Sequence, residues 1–394
     1  MAKLAVVVLF ALLGAAAAQS YSGYQTPAKA APAASPEGSP PQTYPGYGTP
    51  SISTPPAASP EGSPPQTYPG YKVPVPPVPS PPPAPAPPSP SPRLKVGFYR
   101  RSCPRAEQIV KEAVKNATRS NPGIGAGLIR MAFHDCFVQG CDASVLLDNS
   151  TANPNPEKSA PPNFPSLRGF EVIDAAKAAL EAACPGKVSC ADIVQFAARD
   201  AAVVLSGGRV NYRLPAGRLD GRVSIDTETI ALPPPTFNLT ELIGNFAAKG
   251  LNIDDLVVLS GAHTVGLSHC SSFVPDGRLN SSTSDMDPAL AAALRRRCPA
   301  NPNITNDPTV VQDIVTPNRF DNRYYKNVLR RQVLFTSDAA LMRSRQTSRK
   351  VVANAFIPGA WERKFARAMV KMSLIELKTA ANGEIRTKSC RVVN

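Results

Sequence analysis

Histidine and tryptophan are scarce in this 394-residue chain, at three and one copies, and no cysteine occurs before Cys103. Residues 19–93 hold 25 of the 44 prolines and contain no Leu, Phe, Trp, Met, Cys or His. That stretch cannot bury enough apolar surface to offset the entropy of ordering, which excludes it from any core. No apolar run reaches the roughly 20 residues that cross a bilayer, so no membrane span is expected. A His-Glu-x-x-His motif and an i,i+4 histidine pair are both missing, which argues against zinc hydrolysis. So is a Gly-x-Ser-x-Gly elbow, which argues against a serine hydrolase. Lys plus Arg number 43 against 29 Asp plus Glu, a formal charge of +14. The basic residues are scattered without interleaved aromatics, so nucleic-acid binding is not expected.

What is present points outward from the cell. Lys3, an apolar run from Leu4 to Ala18 and the closing Ala16-Ala17-Ala18 describe a secretory signal peptide over 1–18. All eight cysteines (Cys103, Cys136, Cys141, Cys184, Cys190, Cys270, Cys298, Cys390) follow residue 93, and an even count behind a signal peptide suggests four disulfides of open pairing. Sequons begin at Asn116, Asn149, Asn238, Asn280 and Asn303, as in N-glycosylated exported proteins. For such a protein the expected polyanion is an acidic polysaccharide, met through non-specific attraction to net positive charge.

The arm over 19–93 contains one block twice, Ala33–Tyr47 recurring unchanged as Ala57–Tyr71. Two proline-rich copies have no hydrophobic face to stack, so a solenoid is not expected. The run 80–92 favours the polyproline II helix, and its 13 residues would span roughly 40 Å. A stiff, disordered spacer is the plainer reading. The sharper one is a matrix-binding arm, similar to those of plant extensins, whose Tyr44, Tyr47, Tyr68 and Tyr71 can be oxidatively cross-linked.

Residues 94–394 read as α-helical. Ala106, Ile109, Val110, Ala113, Val114 and Ala117 make a helical stripe over 104–120, with Pro104 suited to its first turn. Similar patterns cover 124–137, 169–183, 190–205, 238–249, 254–260, 288–297, 322–331 and 361–377, giving an all-α domain of about ten helices. The best alternating segment is 210–214, a candidate strand.

The histidines carry the chemistry. On a helix, Arg130 and His134 are i,i+4 neighbours on one face. A cation one turn away favours the neutral imidazole. Base and cation together can take a proton from a bound ligand and stabilise the charge left behind. Asp135 lies about 100° around the helix and should face elsewhere. His263 follows an apolar helix; His269, beside Cys270, is read as structural.

Arg130-Met-Ala-Phe-His-Asp-Cys-Phe-Val138 with Gly140-Cys-Asp-Ala-Ser144, and Leu259-Ser-Gly-Ala-His-Thr-Val-Gly266, strongly resemble the distal and proximal signatures of secretory plant (class III) haem peroxidases. The resemblance runs from about Val96 to Asn394, through the closing Lys388-Ser-Cys-Arg-Val-Val-Asn394, and leaves the arm uncovered. It implies a two-lobed helical fold with one haem b between the lobes, His263 on iron and Asp338 behind it. Opposite, His134 would be the acid–base group and Arg130 the charge stabiliser. Asn163 would hold the imidazole as an acceptor, Phe133 would line the pocket, and Pro233 would touch the donor. The resemblance also implies two calcium ions. One would be held by Asp135, Asp142, Ser144 and the carbonyls of Val138 and Gly140, with Glu157 linked through water; the other by Thr264, Asp313, Thr316 and Asp321. Family pairing of the cysteines gives Cys103–Cys184, Cys136–Cys141, Cys190–Cys390 and Cys270–Cys298.

Three departures stand out: Leu219 where a second Arg is usual, which puts a structural ion pair in doubt; one extra residue between Gly208 and Gly217; and Pro234 between two prolines at the substrate rim. The expectation is a secreted, monomeric peroxidase of the apoplast or cell wall that reduces hydrogen peroxide and oxidises small phenols. Cell-wall cross-linking, lignification or an oxidative stress response would be its setting. The chain ends four residues after Cys390, without a tail that would suggest vacuolar sorting. Two competing readings are a structural wall glycoprotein with a non-catalytic peroxidase-like domain and a calcium-dependent carbohydrate-binding module.

Overall fold

The structure, a computed structural model, describes residues 94–280 and 284–394. The expected signal peptide and proline-rich arm lie outside those residues, as do Ser281 and Ser282 of the Asn280 sequon. Eleven α-helices, six 3₁₀ turns and six very short strands occur among the described residues, so the domain is helical as expected.

Amphipathic spacing places the outer helices. α1 (Ala106–Ser120) buries Ala106, Val110 and Val114 while Glu112, Lys115 and Arg119 stay exposed. Pro104 lies in the turn before α1, whose N-cap is Arg105. α2 (Ile124–Val138) is buried almost all round, as is most of α4 (Cys190–Leu205). These two pack on each other at the centre, with α1 and α3 (Phe170–Ala183) against α4. α4 starts at Ser189, whose Oγ accepts the Asp192 N–H at 3.2 Å.

The second group is built around α6 (Ile253–Ser260), which packs against α5 (Leu239–Ala248), α10 (Arg345–Phe356) and α11 (Ala360–Met372). Asn238 and Asn252 cap α5 and α6 in reciprocal boxes with Glu241 and Asp255, fixing where each helix begins. α8 (Arg323–Leu329) packs on α10, and α9 (Thr336–Ala340) on α5. α7 (Pro288–Arg295) belongs to a smaller cluster of Phe273, Met286, Leu290, Leu294 and Phe335. Three antiparallel strand pairs clip loops together: β1 (Lys95–Val96) with β2 (Pro215–Ala216), β3 (Asp220–Gly221) with β6 (Gly383–Glu384), and β4 (Leu267–His269) with β5 (Thr309–Val311).

Two helices escape sequence periodicity. α9 has only five residues, and the buried face of α10 includes Thr347 and Asn354, which interrupt its apolar stripe. Conversely, the expected strand over 210–214 is irregular chain: Val210 and Leu214 are buried, but pairing starts only at Pro215. The disulfides join Cys103–Cys184, Cys136–Cys141, Cys190–Cys390 and Cys270–Cys298, and no described cysteine is free.

A buried ion pair locks these pieces. Arg218 and Asp192, with side chains 0 % exposed, meet at 2.7 Å. Asp192 also accepts the Tyr99 hydroxyl at 2.7 Å and the Gly217 N–H at 2.6 Å, while Arg218 donates to Ser373 O and Pro215 O. The pair therefore connects the N-terminal segment, α4 and the end of α11. Burial and the Asp192 charge raise the Tyr99 hydroxyl pKa, keeping it a donor. Leu219, the departure next door, leaves this pair intact. Asp192→Asn would strand a buried guanidinium, so it should cost about 3–5 kcal/mol of unfolding free energy in urea titration. A loss below about 1 kcal/mol would contradict the structural role.

Candidate active site

Arg130 and His134 project from one face of α2. Arg130 Nε donates to His134 Nε2 at 3.0 Å, and His134 Nδ1 lies 2.6 Å from Asn163 Oδ1. The Asn163 amide is oriented in turn by donating Nδ2–H to Glu157 O at 2.7 Å. Its oxygen must therefore accept from His134, which assigns the proton to Nδ1 and leaves Nε2 as the acceptor, the role in which it meets Arg130 Nε. Burial first, then the Arg130 charge, holds the imidazole well below its ordinary pKa, and the Asn163 contact opposes this only in part. The residue expected to tune the base does so, but desolvation acts more strongly.

Arg130 is held by Ser166 Oγ at 2.9 Å and Pro162 O at 2.8 Å, and has no carboxylate partner among the described residues. Burial and nearby Arg168 lower its pKa to about 10, so it remains a cation at neutral pH. Ser166 and the Pro162 carbonyl carry no sequence signal that would have singled them out. Phe133 meets the His134 ring edge-on with centroids 5.2 Å apart.

His263 sits in a 3₁₀ turn directly after α6. The end of α6 is tied down by Trp361 Nε1, which donates to Val258 O at 3.0 Å, and by the Tyr325 hydroxyl, which donates to Val257 O at 2.9 Å. A Cβ on Gly261 would stand 2.4 Å from that indole nitrogen, so only glycine allows the approach. His263 Nδ1 lies 2.9 Å from Asp338 Oδ1, a buried carboxylate that also accepts the Tyr324 hydroxyl at 2.6 Å. Phe335 and Tyr324 wall the ring. The His263 side chain is 39 % exposed, and Nε2 has no hydrogen-bond partner among the described residues. An imidazole held this way through Nδ1 is the donor set that ligates iron or another transition metal.

The residues expected to hold ions also gather. Asp135, both of whose oxygens lack a hydrogen bond, lies with Ser144 and Glu157, each of which has one buried oxygen without one, and with Asp142, whose Oδ2 meets only the Lys378 ammonium. Burial raises all three carboxyl pKa values, Glu157 to about 8, and the charge of Asp142 adds to that of burial at Asp135. Four orphaned oxygens, with the Asp142 carboxylate beside them, fit a hard cation in this buried pocket. Among the described residues no cluster of three or more His, Cys, Asp and Glu side chains could hold an ion alone, so hydroxyl and carbonyl oxygens are needed. Gly140 has φ +90°, and the Val138 carbonyl already accepts from Lys249 at 3.2 Å. In the second set, Thr264 and Thr316 hydroxyls lie 3.2–3.4 Å from Asp313 Oδ2 and Asp321 Oδ1, joining residues far apart in sequence.

Pro233 is half-buried in a loop that Ser337 N–H ties down through Pro235 O at 2.9 Å, beside Asp338. His269 bonds the Asp307 carbonyl at 3.0 Å, a role within the fold. Sequence reasoning missed Lys378. Its ammonium lies 3.1 Å from Asp142 Oδ2 and donates to Gln139 O at 2.9 Å. A lone lysine in a C-terminal loop carries no signal for this.

Residues 110–356 match the family model described as Peroxidase. The chain is 61 % identical over 302 residues to Peroxidase 2 of Zea mays, covering 76 % of this chain and 89 % of that protein. It is 50 % identical to Peroxidase 1 of Zea mays, over 77 % of this chain and 83 % of that one. It is also 50 % identical to Peroxidase 5 of Vitis vinifera, over 77 % and 92 %.

Lys378 places a fixed positive charge against the oxygens that fit a cation. Lys378→Met should therefore tighten calcium binding about tenfold in isothermal titration, since a like charge at that range opposes the ion. Unchanged or weaker affinity would show that the ammonium does not reach the site.

Proposed function

The chain belongs to the plant class III peroxidase family, and from that membership we propose that it is a wall-located haem enzyme acting on small phenols. Its activity is that of a peroxidase: two donors each lose one electron and one proton while hydrogen peroxide becomes two waters. The family implies haem. One haem b and two calcium ions per chain are part of the proposal, as are a signal peptide over 1–18, an arm over 19–93 and a catalytic domain over 94–394. No helix among the described residues is long and apolar enough to cross a membrane. A monomer and contact with acidic wall polysaccharide complete the reading.

When bound, haem supplies the oxidising equivalents taken from peroxide and released one electron at a time. The chain's own residues do the rest. His263 Nε2 would hold the iron, and Asp338, by accepting the Nδ1 proton, would make that nitrogen a stronger donor. His134 Nε2 would take the peroxide proton and return it to the departing oxygen, which leaves as water. Arg130 would stabilise negative charge as the O–O bond breaks. Asn163 keeps the imidazole in the accepting tautomer. Phe133 would keep the pocket apolar, and Pro233 would touch the donor. The two cation sets adjoin His134 and His263 in sequence, so each ion would fix the position of one histidine.

The observation that carries this reading is the chain Arg130–His134–Asn163, at 3.0 and 2.6 Å. A structural glycoprotein without catalysis would have no need for an unprotonated buried imidazole beside an arginine. His134→Ala should slow the reaction with peroxide by a factor on the order of 10²–10⁴ in stopped-flow absorbance. An unchanged rate would favour the non-catalytic reading.

The pH profile is a second check. Because the folded-state pKa of His134 is lowered, the lone pair survives as pH falls through the ordinary imidazole value near ~6.5. The acidic limb of the peroxide rate should therefore lie well below that value, and a limb at or above it would contradict the assigned base.

A further inference from the structure

One strongly charged surface is not used by this activity. Residues 343–372, which include α10 and α11, hold eight Lys or Arg and one acid, the buried Glu362. Three of the cations are paired: Arg343 with Asp285, Lys350 with Asp254 and Lys371 with Asp255. Arg345, Arg349, Arg363 and Arg367 make no ion pair among the described residues, and Lys364 donates to Asn354 Oδ1 at 3.1 Å. Arg345 and Arg349 are one helical turn apart and share a face.

Arg345, Arg349, Lys350 and Lys364 line a cleft of about 440 Å³ with Gln346, Ala353 and Asp254. Its walls come from α10, α11 and the start of α6. Four cations thus face one carboxylate, which Lys350 already engages. Within the fold this concentration of like charge is unfavourable, and an external polyanion would relieve it.

We propose that this cleft docks an acidic polysaccharide through its repeated carboxylates. Guanidinium groups pair with carboxylates through two parallel hydrogen bonds, and Arg345 and Arg349 are free to do so. No aromatic side chain lines the cleft, so it offers no platform for stacking nucleic-acid bases. Eight cysteines in four disulfides suit an oxidising, extracellular setting, where carboxylated polysaccharide is the available polyanion. The formal charge of +14 would draw such a chain in from a distance. This rests on the polysaccharide contact included in the proposed function, and it gives a general attraction a specific place. Exposed Phe356 and Ile357 lie beyond the cleft at the end of α10, so an anionic lipid surface is the competitor to be tested.

The experiment uses the full chain with haem and measures binding to polygalacturonate at about 0.1 M salt, where isolated surface charges are already screened beyond roughly 10 Å. Arg345→Gln/Arg349→Gln/Lys364→Gln is compared with a charge-matched control on the exposed stretch at the end of α7 and just beyond it, Arg295→Gln/Arg296→Gln/Arg297→Gln. The cleft variant should bind about tenfold more weakly with a salt slope smaller by about two. The control should stay within about twofold. Turnover of a small phenol should be unchanged in both, which also reports correct folding and keeps this test separate from that of the peroxidase reading. Should the triple variant fail to fold, the three single variants are measured instead, each expected to weaken binding about twofold while Arg296→Gln does not. Equal losses in cleft and control variants would reduce the effect to net charge and overturn the proposal. So would absence of binding by the wild-type chain, or tighter binding to phosphatidylserine vesicles than to polygalacturonate.

Discussion

The hydrogen bond from His263 Nδ1 to Asp338 is the contact on which the arrangement turns. Asp338 is buried and shared with the Tyr324 hydroxyl, so its carboxylate cannot swing away to solvent. With Nδ1 committed, only Nε2 of His263 can act as a ligand. The α6 end that carries this histidine is fixed by Trp361 and Tyr325, which donate to the Val258 and Val257 carbonyls of its last turn. Helix packing in the second group of helices thereby sets the direction of a single lone pair.

The opposite constellation is assembled by different means. Arg130 and His134 are local neighbours, but their states depend on residues 162–166, which supply Pro162 O, Asn163 Oδ1 and Ser166 Oγ. Asn163 is in turn oriented by the backbone of Glu157, whose side chain belongs to the cation set. Base, amide and cation site form one continuous structure, so disturbing the buried carboxylates should be felt at the imidazole. The unpaired oxygens of Asp135, Ser144 and Glu157 would be costly without a counter-charge, and Lys378 reaches only Asp142.

Legibility in the sequence followed the range of the interactions. The helical period marked α1, α2 and α4 closely, because their burial is apolar and continuous. It missed α10, where Thr347 and Asn354 face inward, and it suggested a strand at 210–214, where alternation reflects burial without pairing. Arg130 beside His134 followed from the i,i+4 rule alone. Asn163, Asp338 and the ion sets rested on the family resemblance, since contacts spanning 29 and 75 residues leave no local pattern. Lys378, Tyr324 and Ser166 had no signal of either kind, because each acts only through tertiary proximity.

The most direct test of the account is the electronic spectrum of the purified, haem-loaded chain, recorded for wild type and His263→Ala with and without added imidazole. Wild type should show one haem per chain with an axial imidazole; the variant should lose that signature and recover it when free imidazole is supplied. An identical spectrum in the two proteins would place the iron on some other side chain and contradict the central assignment.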